Sequence, residues 1–181
     1  MTGIRRVVTG QTSDGSSVFV SDESVSATTV TISPGYQFHL MWGADEVPSL
    51  PTDGTEPAHP AYFPPPGGYR FGFFTVPPAG AMSFPEDFDL EAALEEMEKK
   101  LPGMAAHMEP DDPGMHTTDT VDFEVVISGQ IVCELDDGAE VTLSAGDTFV
   151  QNGTRHRWRN PGAEPAVLFV ALIGATRIPR A

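Results

Sequence analysis

Only one of the 181 residues is cysteine, so no intrachain disulfide can form. That residue, Cys133 in the pattern Ile131-x-Cys133-x-Leu135, reads as a small buried apolar side chain. Basic residues are also scarce. Ten Lys and Arg stand against twenty-six Asp and Glu, a formal net charge of -16. Such a field repels phosphate backbones and acidic lipid surfaces, which argues against nucleic acid and membrane as partners. Long apolar runs are missing, and none approaches the roughly 18 residues that a membrane-crossing helix needs. The amino terminus MTGIRRVVTG lacks the apolar centre of a secretory signal, so the expected location is cytoplasmic. No internal repeat is visible. The length suits one domain with a core and an extension.

Proline and glycine are abundant, at 17 and 18 residues. Ten of them fall between Val47 and Gly68, among them Pro48, Pro51, Pro57, Pro60, Pro64, Pro65, Pro66, Gly67 and Gly68. Proline fixes its own torsion and cannot donate to a ladder, so 47–68 is expected to be a long loop. It carries Tyr62 and Phe63, with Trp42 at its root, and is either a surface connection or a lid. Before it, 4–9, 17–21 and 25–32 are short, rich in Val, Ile and Thr, and read as strands of an amino-terminal arm spanning 1–46. An arm of this kind leaves exposed edges, and a second copy of the chain is the expected cover, which makes the protein a homodimer. In Tyr36–Trp42, alternation places Tyr36, Phe38, Leu40 and Trp42 on one face and His39 on the other, where it is expected to be exposed or at an interface.

After a strand at Arg70–Val76, Pro85–Lys100 is the one helix expected. Proline and acids stand at its start, Lys99 and Lys100 at its end, and Pro102-Gly103 stop it. Phe88, Leu90, Ala93, Leu94, Met97 and Leu101 form its apolar stripe, while Glu91, Glu95, Glu96 and Glu98 form a solvated face. His107 reads as a loop histidine.

From Val121 to Val150 apolar and polar residues alternate, broken at Ser128-Gly129, Asp136-Asp137-Gly138 and Ala145-Gly146-Asp147. Period-two runs cut by turns at such intervals predict short antiparallel strands in an all-β barrel or sandwich. Within this stretch His116, Thr118, Asp122 and Gly129, and then Gly146-Asp147, Gly153, His156 and Asn160, resemble the two motifs of the cupin superfamily. Thr118 stands where the second histidine of that pattern belongs, Asp122 stands for its glutamate and Gln151 for its proline. The resemblance covers about a third of the chain. It implies a cupin, jelly-roll-like β-barrel over 69–181, with a helical insertion at about 85–101 packed outside.

Alternation puts Asp122, Glu124, Val126 and Ser128 on one face of their strand, and His156 and Trp158 on one face of theirs, opposite Arg155, Arg157 and Arg159. The resemblance aims Asp122 inward, and Glu124 goes with it. A barrel holding His116, Thr118, Asp122, Glu124 and His156 buries charges that must be paired, protonated or metal-bound, and a functional site explains them. The resemblance implies a divalent transition metal (Fe, Mn, Ni or Zn) on His116, Asp122 and His156, with Thr118 and Trp158 facing substrate. Without a metal, His116 or His156 suits a general base, and Asp122 or Glu124 a general acid. The function implied is a small-molecule lyase, isomerase or dioxygenase. The alternatives are a metal-free epimerase- or cyclase-type enzyme, or a ligand-binding or sensor module. Aromatic Trp42, Tyr62, Phe63 and Trp158 suggest an apolar or ring-containing ligand. Asp119 reads as a turn cap, and the three arginines as partners in ion pairs.

Overall fold

The alternating stretch folds into short antiparallel strands. In the computed structural model, which describes residues 3–81 and 83–179, it provides β5 (Thr120–Ser128), β6 (Gln130–Glu134), β7 (Glu140–Ser144) and β8 (Thr148–Asn152). Their bounds coincide with the turn residues. At Gly129 the backbone takes φ 78°, and a Cβ would stand 2.9 Å from the Cα of Ala166, so only glycine turns the chain from β5 into β6 there.

Two sheets result, rather than one closed ladder. The larger has the order β3 (Gln37–Ala44), β4 (Tyr69–Val76), β10 (Ala166–Gly174), β5, β8, and the smaller the order β7, β6, β9 (Arg157–Arg159). Val76, Val126, Leu168 and Ala166 from the large sheet and Ile131 and Leu143 from the small one form a single buried cluster, against which Phe149 and Trp158 pack. The sheets therefore face each other across one core, as in a jelly roll. Asn160 ties the ends together. Buried, it donates from Nδ2 to the carbonyls of Val76 (3.0 Å) and Glu164 (2.8 Å) and accepts from the Gly162 amide (2.8 Å).

The amino-terminal hairpin β1 (Ile4–Gln11) and β2 (Ser17–Val25) forms its own two-stranded sheet. The strand expected at 25–32 does not form. Only Thr28 makes an isolated bridge, to Phe38, because Val30 turns into a second buried cluster with Met97, Leu101 and Met104 instead of pairing. The helix α1 (Leu90–Lys100) starts five residues later than expected, since Asp89 accepts from the Ala92 amide (3.0 Å) and is its cap, while Pro85–Phe88 make a turn. Ala93 and Met97 are buried on it, and Leu90 and Leu94 of the expected stripe are exposed.

Strand β3 departs from simple alternation. Leu40 pairs with Gly72 but Trp42 pairs with Phe71, so Met41 is an extra residue, a bulge. The slip rotates Trp42 off the face of Phe38 and Leu40, and it lies instead beneath the Arg6 guanidinium, 5.3 Å away. Trp42 is not at the barrel mouth. His39 is also corrected: it is 2% exposed, beside its register partner Phe73. Alternation assigns a side chain to a face and says nothing of what covers that face.

The loop 47–68 is seated at both ends. The Gly67 amide donates to Gly174 (3.3 Å), the Gly174 amide to Gly68 (2.9 Å), and any side chain at Gly174 would collide with the Pro65 carbonyl. Midway, the Tyr62 amide donates to Pro102 (2.9 Å), and Arg70 holds the Ala61 carbonyl. No helix among the described residues is long and apolar enough to cross a membrane.

Candidate functional site

The site is built on the inner face of β5. Thr120, Asp122, Glu124 and Val126 are buried there, while Phe123 and Ile127 point away and are about half exposed. Glu124 is therefore inside, as alternation predicted, and no bulge re-aims it. The neighbouring strands extend the same face: Leu172 and Val170 of β10 stand opposite Asp122 and Glu124, and Gln151 and Phe149 of β8 oppose them from the other side.

Among the described residues, neither carboxyl has a cation. Asp122 Oδ1 and Glu124 Oε2 are buried with no hydrogen-bond partner there. Burial pushes the Asp122 carboxyl up to about 6, partly offset by the Thr120 hydroxyl. It pushes the Glu124 carboxyl further, to about 8, with the charge of Asp122 adding to the effect. At neutral pH Glu124 is thus a protonated acid, and Asp122 is ionised for most of the time.

His116 and His156 are brought together by a backbone bridge, each amide donating to the other's carbonyl at 3.0 Å. Their rings lie 4.1 Å apart between centroids. Each Nδ1–H donates to a backbone carbonyl two residues earlier, Gly114 for His116 and Thr154 for His156, both at 3.0 Å. The Nε2 atoms are thereby left as the basic faces. Burial lowers His116, and it lowers His156 to about 4, with the charge of His116 adding to the effect. Both imidazoles are neutral at pH 7. Trp158 meets His156 edge-on at 5.8 Å and Phe149 at 5.4 Å, so the aromatic wall runs from the histidine pair to the strand pair of Glu124. Thr118 is buried and shares a 2.8 Å hydrogen bond with Thr120.

As a metal centre this donor set does not fit. Among the described residues no three His, Cys, Asp or Glu side chains are grouped so as to hold an ion. The histidine pair is assembled, but Asp122 is not brought into a third ligand position beside it, and Thr118 is engaged with Thr120. The expected set of His116, Asp122 and His156 thus reduces to two imidazoles and a separate acid pair.

Two residues outside the expected catalytic and metal set join the site. Gln151, 1% exposed, accepts from the Thr154 amide (2.9 Å) and hydroxyl (2.6 Å) through Oε1 and leaves its Nε2 buried without an acceptor. The register of β8 on β5 sets it opposite Asp122, a pairing that no local pattern carries. Tyr62, from the proline-rich loop, packs edge-on against Phe38 (5.9 Å) and Phe63 (5.0 Å). Burial and then the charges of Asp122 and Glu124 raise its phenol, and it shares a small space with Val170 and Leu172, the strand partners of Glu124 and Asp122. Phe63 lies outside, on the His107 ring at 4.6 Å. Beneath Tyr62, Leu40, Gly72, Val170 and Leu172 border a space of about 10 Å³, room for one water.

The arginine face of β9 points the other way. Arg155 pairs with Glu109, Asp112 and Asp136, Arg157 with Asp112 and Glu134, and Arg159 with Glu134 and Glu140. Asp119 pairs with Arg177 at the surface. These ion pairs hold the 109–112 segment against the small sheet and commit the three arginines away from the acids.

Residues 105–172 match the Cupin_2 family, described as a cupin domain. Among characterised proteins, the chain is 43% identical over 63 residues to oryzines biosynthesis cluster protein J of Aspergillus oryzae, a match that covers 34% of this chain and 35% of that protein. It is 48% identical over 46 residues to phomopsin biosynthesis cluster protein C' of Diaporthe leptostromiformis, covering 25% and 24% of the two chains. The chain thus spans about a third or less of the length of these relatives. Among solved structures, the Cnp3 cupin domain of Schizosaccharomyces pombe aligns with a TM-score of 0.48 at 9% identity, over 94% of this chain and 87% of that one. Histidine pair, inward acid strand and motif glycines thus lie within the segment that matches the family, and residues 105–172 are a cupin domain by that match.

Proposed function

We propose that this chain is a small-molecule enzyme of lyase or isomerase type, working by proton transfer in the barrel interior. The observation that carries this reading is the pair of buried carboxyls on one face of β5, each with an oxygen that has no hydrogen-bond partner among the described residues. A buried carboxyl without a partner lowers stability, and a protein that keeps two of them in one place has a use for them. Glu124 holds a proton at neutral pH and suits a general acid. His116 and His156, neutral and with Nε2 free, suit a general base. The relatives' names refer to biosynthesis clusters, which supports an organic metabolite as substrate. Tyr62 and the loop behind it act as a lid that excludes water from the acid pair.

The test uses carbonyl compounds and alcohols in D2O, with deuterium incorporation or product formation read by mass spectrometry. Exchange by the wild type at least tenfold faster than by Glu124→Gln and by His156→Ala is expected, with all three proteins folded. Exchange that is unchanged in both variants, or absent throughout, counts against proton-transfer chemistry and leaves a ligand-binding module.

We also propose that the protein is a homodimer. The amino-terminal hairpin supports this, since Val7, Val18, Phe19 and Val20 are exposed on it, Phe19 at 79%. Light scattering should give twice the chain mass. A monomer mass that does not change with concentration would rule the dimer out.

A further inference from the structure

Three buried polar atoms without partners lie on two neighbouring strands: Asp122 Oδ1 and Glu124 Oε2 on β5, and Gln151 Nε2 on β8. All three residues are at least 95% buried. Buried polar atoms are nearly always paired, so three orphans on one inner face mark the place of groups supplied by a ligand. The set is two acceptors and one donor. Its charge is one-sided. Among the described residues, the cations near the fold's core are committed elsewhere: Arg70 to Ala44, Tyr69, Ala61 and Asp45, and Arg155, Arg157 and Arg159 to carboxylates on the far face of β9. Lys100 bonds Glu96 and the Thr29 carbonyl, and Arg177 bonds Asp119 and the carbonyls of Thr118 and Gly153.

We infer that the interior takes a cationic organic amine, with an uncharged hydroxyl or carbonyl beside the ammonium group. This rests on the barrel interior being the working site. A carboxylate or phosphate ligand would add negative charge beside the buried Asp122 carboxylate, and a neutral ligand would leave that charge uncompensated. An ammonium group donates to both orphan acceptors, and its bond to the Asp122 carboxylate pairs two charges, which makes it the strong one. The Gln151 amide, held by Thr154, then donates to the neighbouring acceptor. Aromatic rings close the shell: Phe149 is the strand partner of Glu124, Trp158 packs on Phe149, and Tyr62 borders a space with Val170 and Leu172, the partners of Glu124 and Asp122 on the other strand, a suitable lining for a cation. With space for one water beneath it, Tyr62 must swing out to admit a ligand. On its other side lies a cleft of about 180 Å³ between the loop and the end of α1, bordered by Phe38, His59, Pro60 and Leu101, through which the ligand arrives.

The test is calorimetric titration of the full chain with three probes of one shape: benzylamine, benzyl alcohol and benzoate. Benzylamine is expected to bind at least about tenfold more tightly than benzyl alcohol, the gain from one charge-assisted bond, and benzoate to show no saturable binding. Asp122→Asn should weaken benzylamine about tenfold, and Glu124→Gln less, with unfolding midpoints near that of the wild type. Adding an acceptor, as in 2-amino-1-phenylethanol, should improve affinity over benzylamine, and Gln151→Leu should erase that improvement. If benzyl alcohol or benzoate binds as tightly as benzylamine and His156→Ala abolishes it, the interior stands as a site and the amine class is overturned. If no probe binds, or binding ignores every interior variant, the amine proposal falls together with the interior reading.

Discussion

Replacing Glu124 by glutamine is expected to remove the loss of stability that the wild-type protein undergoes between pH 6.5 and about 8. The Glu124 carboxyl is raised from its ordinary 4.5 to about 8. The folded state therefore holds a proton that the unfolded chain releases, and this contribution is complete below 4.5 and lost as pH rises through 8. Asp122 acts in the same direction over a lower range, from 3.8 to about 6. The histidines act in the opposite direction. Lowered from 6.5 to about 4, His156 contributes stability above 6.5 that is lost as pH falls through 4, and His116 shifts the same way. Acids and histidines oppose each other below 6.5, and above it Glu124 is the group left. One proton corresponds to about 1.4 kcal/mol per pH unit, so the fall is about 2 kcal/mol over this window. Urea unfolding across the window checks it. An equal slope in wild type and Glu124→Gln would assign the titration to another group, and a flat profile in both would put Glu124 in solvent.

Replacing Arg70 by leucine is expected to lower stability by about 3–5 kcal/mol, the range for breaking a buried charged network, and with it the unfolding midpoint by roughly 6–20 °C. Arg70 is 1% exposed. Its Nη1 donates to the carbonyls of Ala44 (2.7 Å) and Tyr69 (2.8 Å), its Nη2 and Nε to Ala61 (3.0 and 3.3 Å), and its Nη2 also to Asp45. Leucine leaves three inward carbonyls and one acid without a donor, each a loss larger than the bond itself contributes. Ala61 precedes Tyr62, so the same substitution releases the middle of the proline-rich loop, and protease cleavage within 47–68 should appear in the folded protein. Lysine should recover only part of the stability, because one ammonium cannot reach the donor positions on both sides of a planar fork. An Arg70→Leu variant within about 1 kcal/mol of the wild type would show that the loop is held by its glycine and proline contacts alone.

The amino-acid order by itself determined the elements whose information is local. Alternation along 121–150, cut by Gly129 and Gly146, set the strands and turned Asp122 and Glu124 to one side, and the same rule separated His156 and Trp158 from the three arginines. Side chains two apart share a face wherever a strand is regular, so these assignments needed no knowledge of partners. Spacing of the two motifs was enough to indicate the superfamily.

Tertiary structure decided what depends on a second segment. The bulge at Met41 exists because β3 must keep register with β4 on both sides of it, and it moved Trp42 away from the mouth. Whether His39 is covered, whether Val30 pairs or packs, and where Asp89 starts the helix were settled by neighbours distant in sequence. The site followed the same division. Its inward acids were legible from one strand, but the register that sets Gln151 beside Asp122, the fold of the proline-rich loop that brings Tyr62 to Val170 and Leu172, and the absence of a third ligand beside His116 and His156 among the described residues depend on how segments meet. Periodicity carries the direction in which a side chain points, and only the packing of sheets and loop fixes what it meets there.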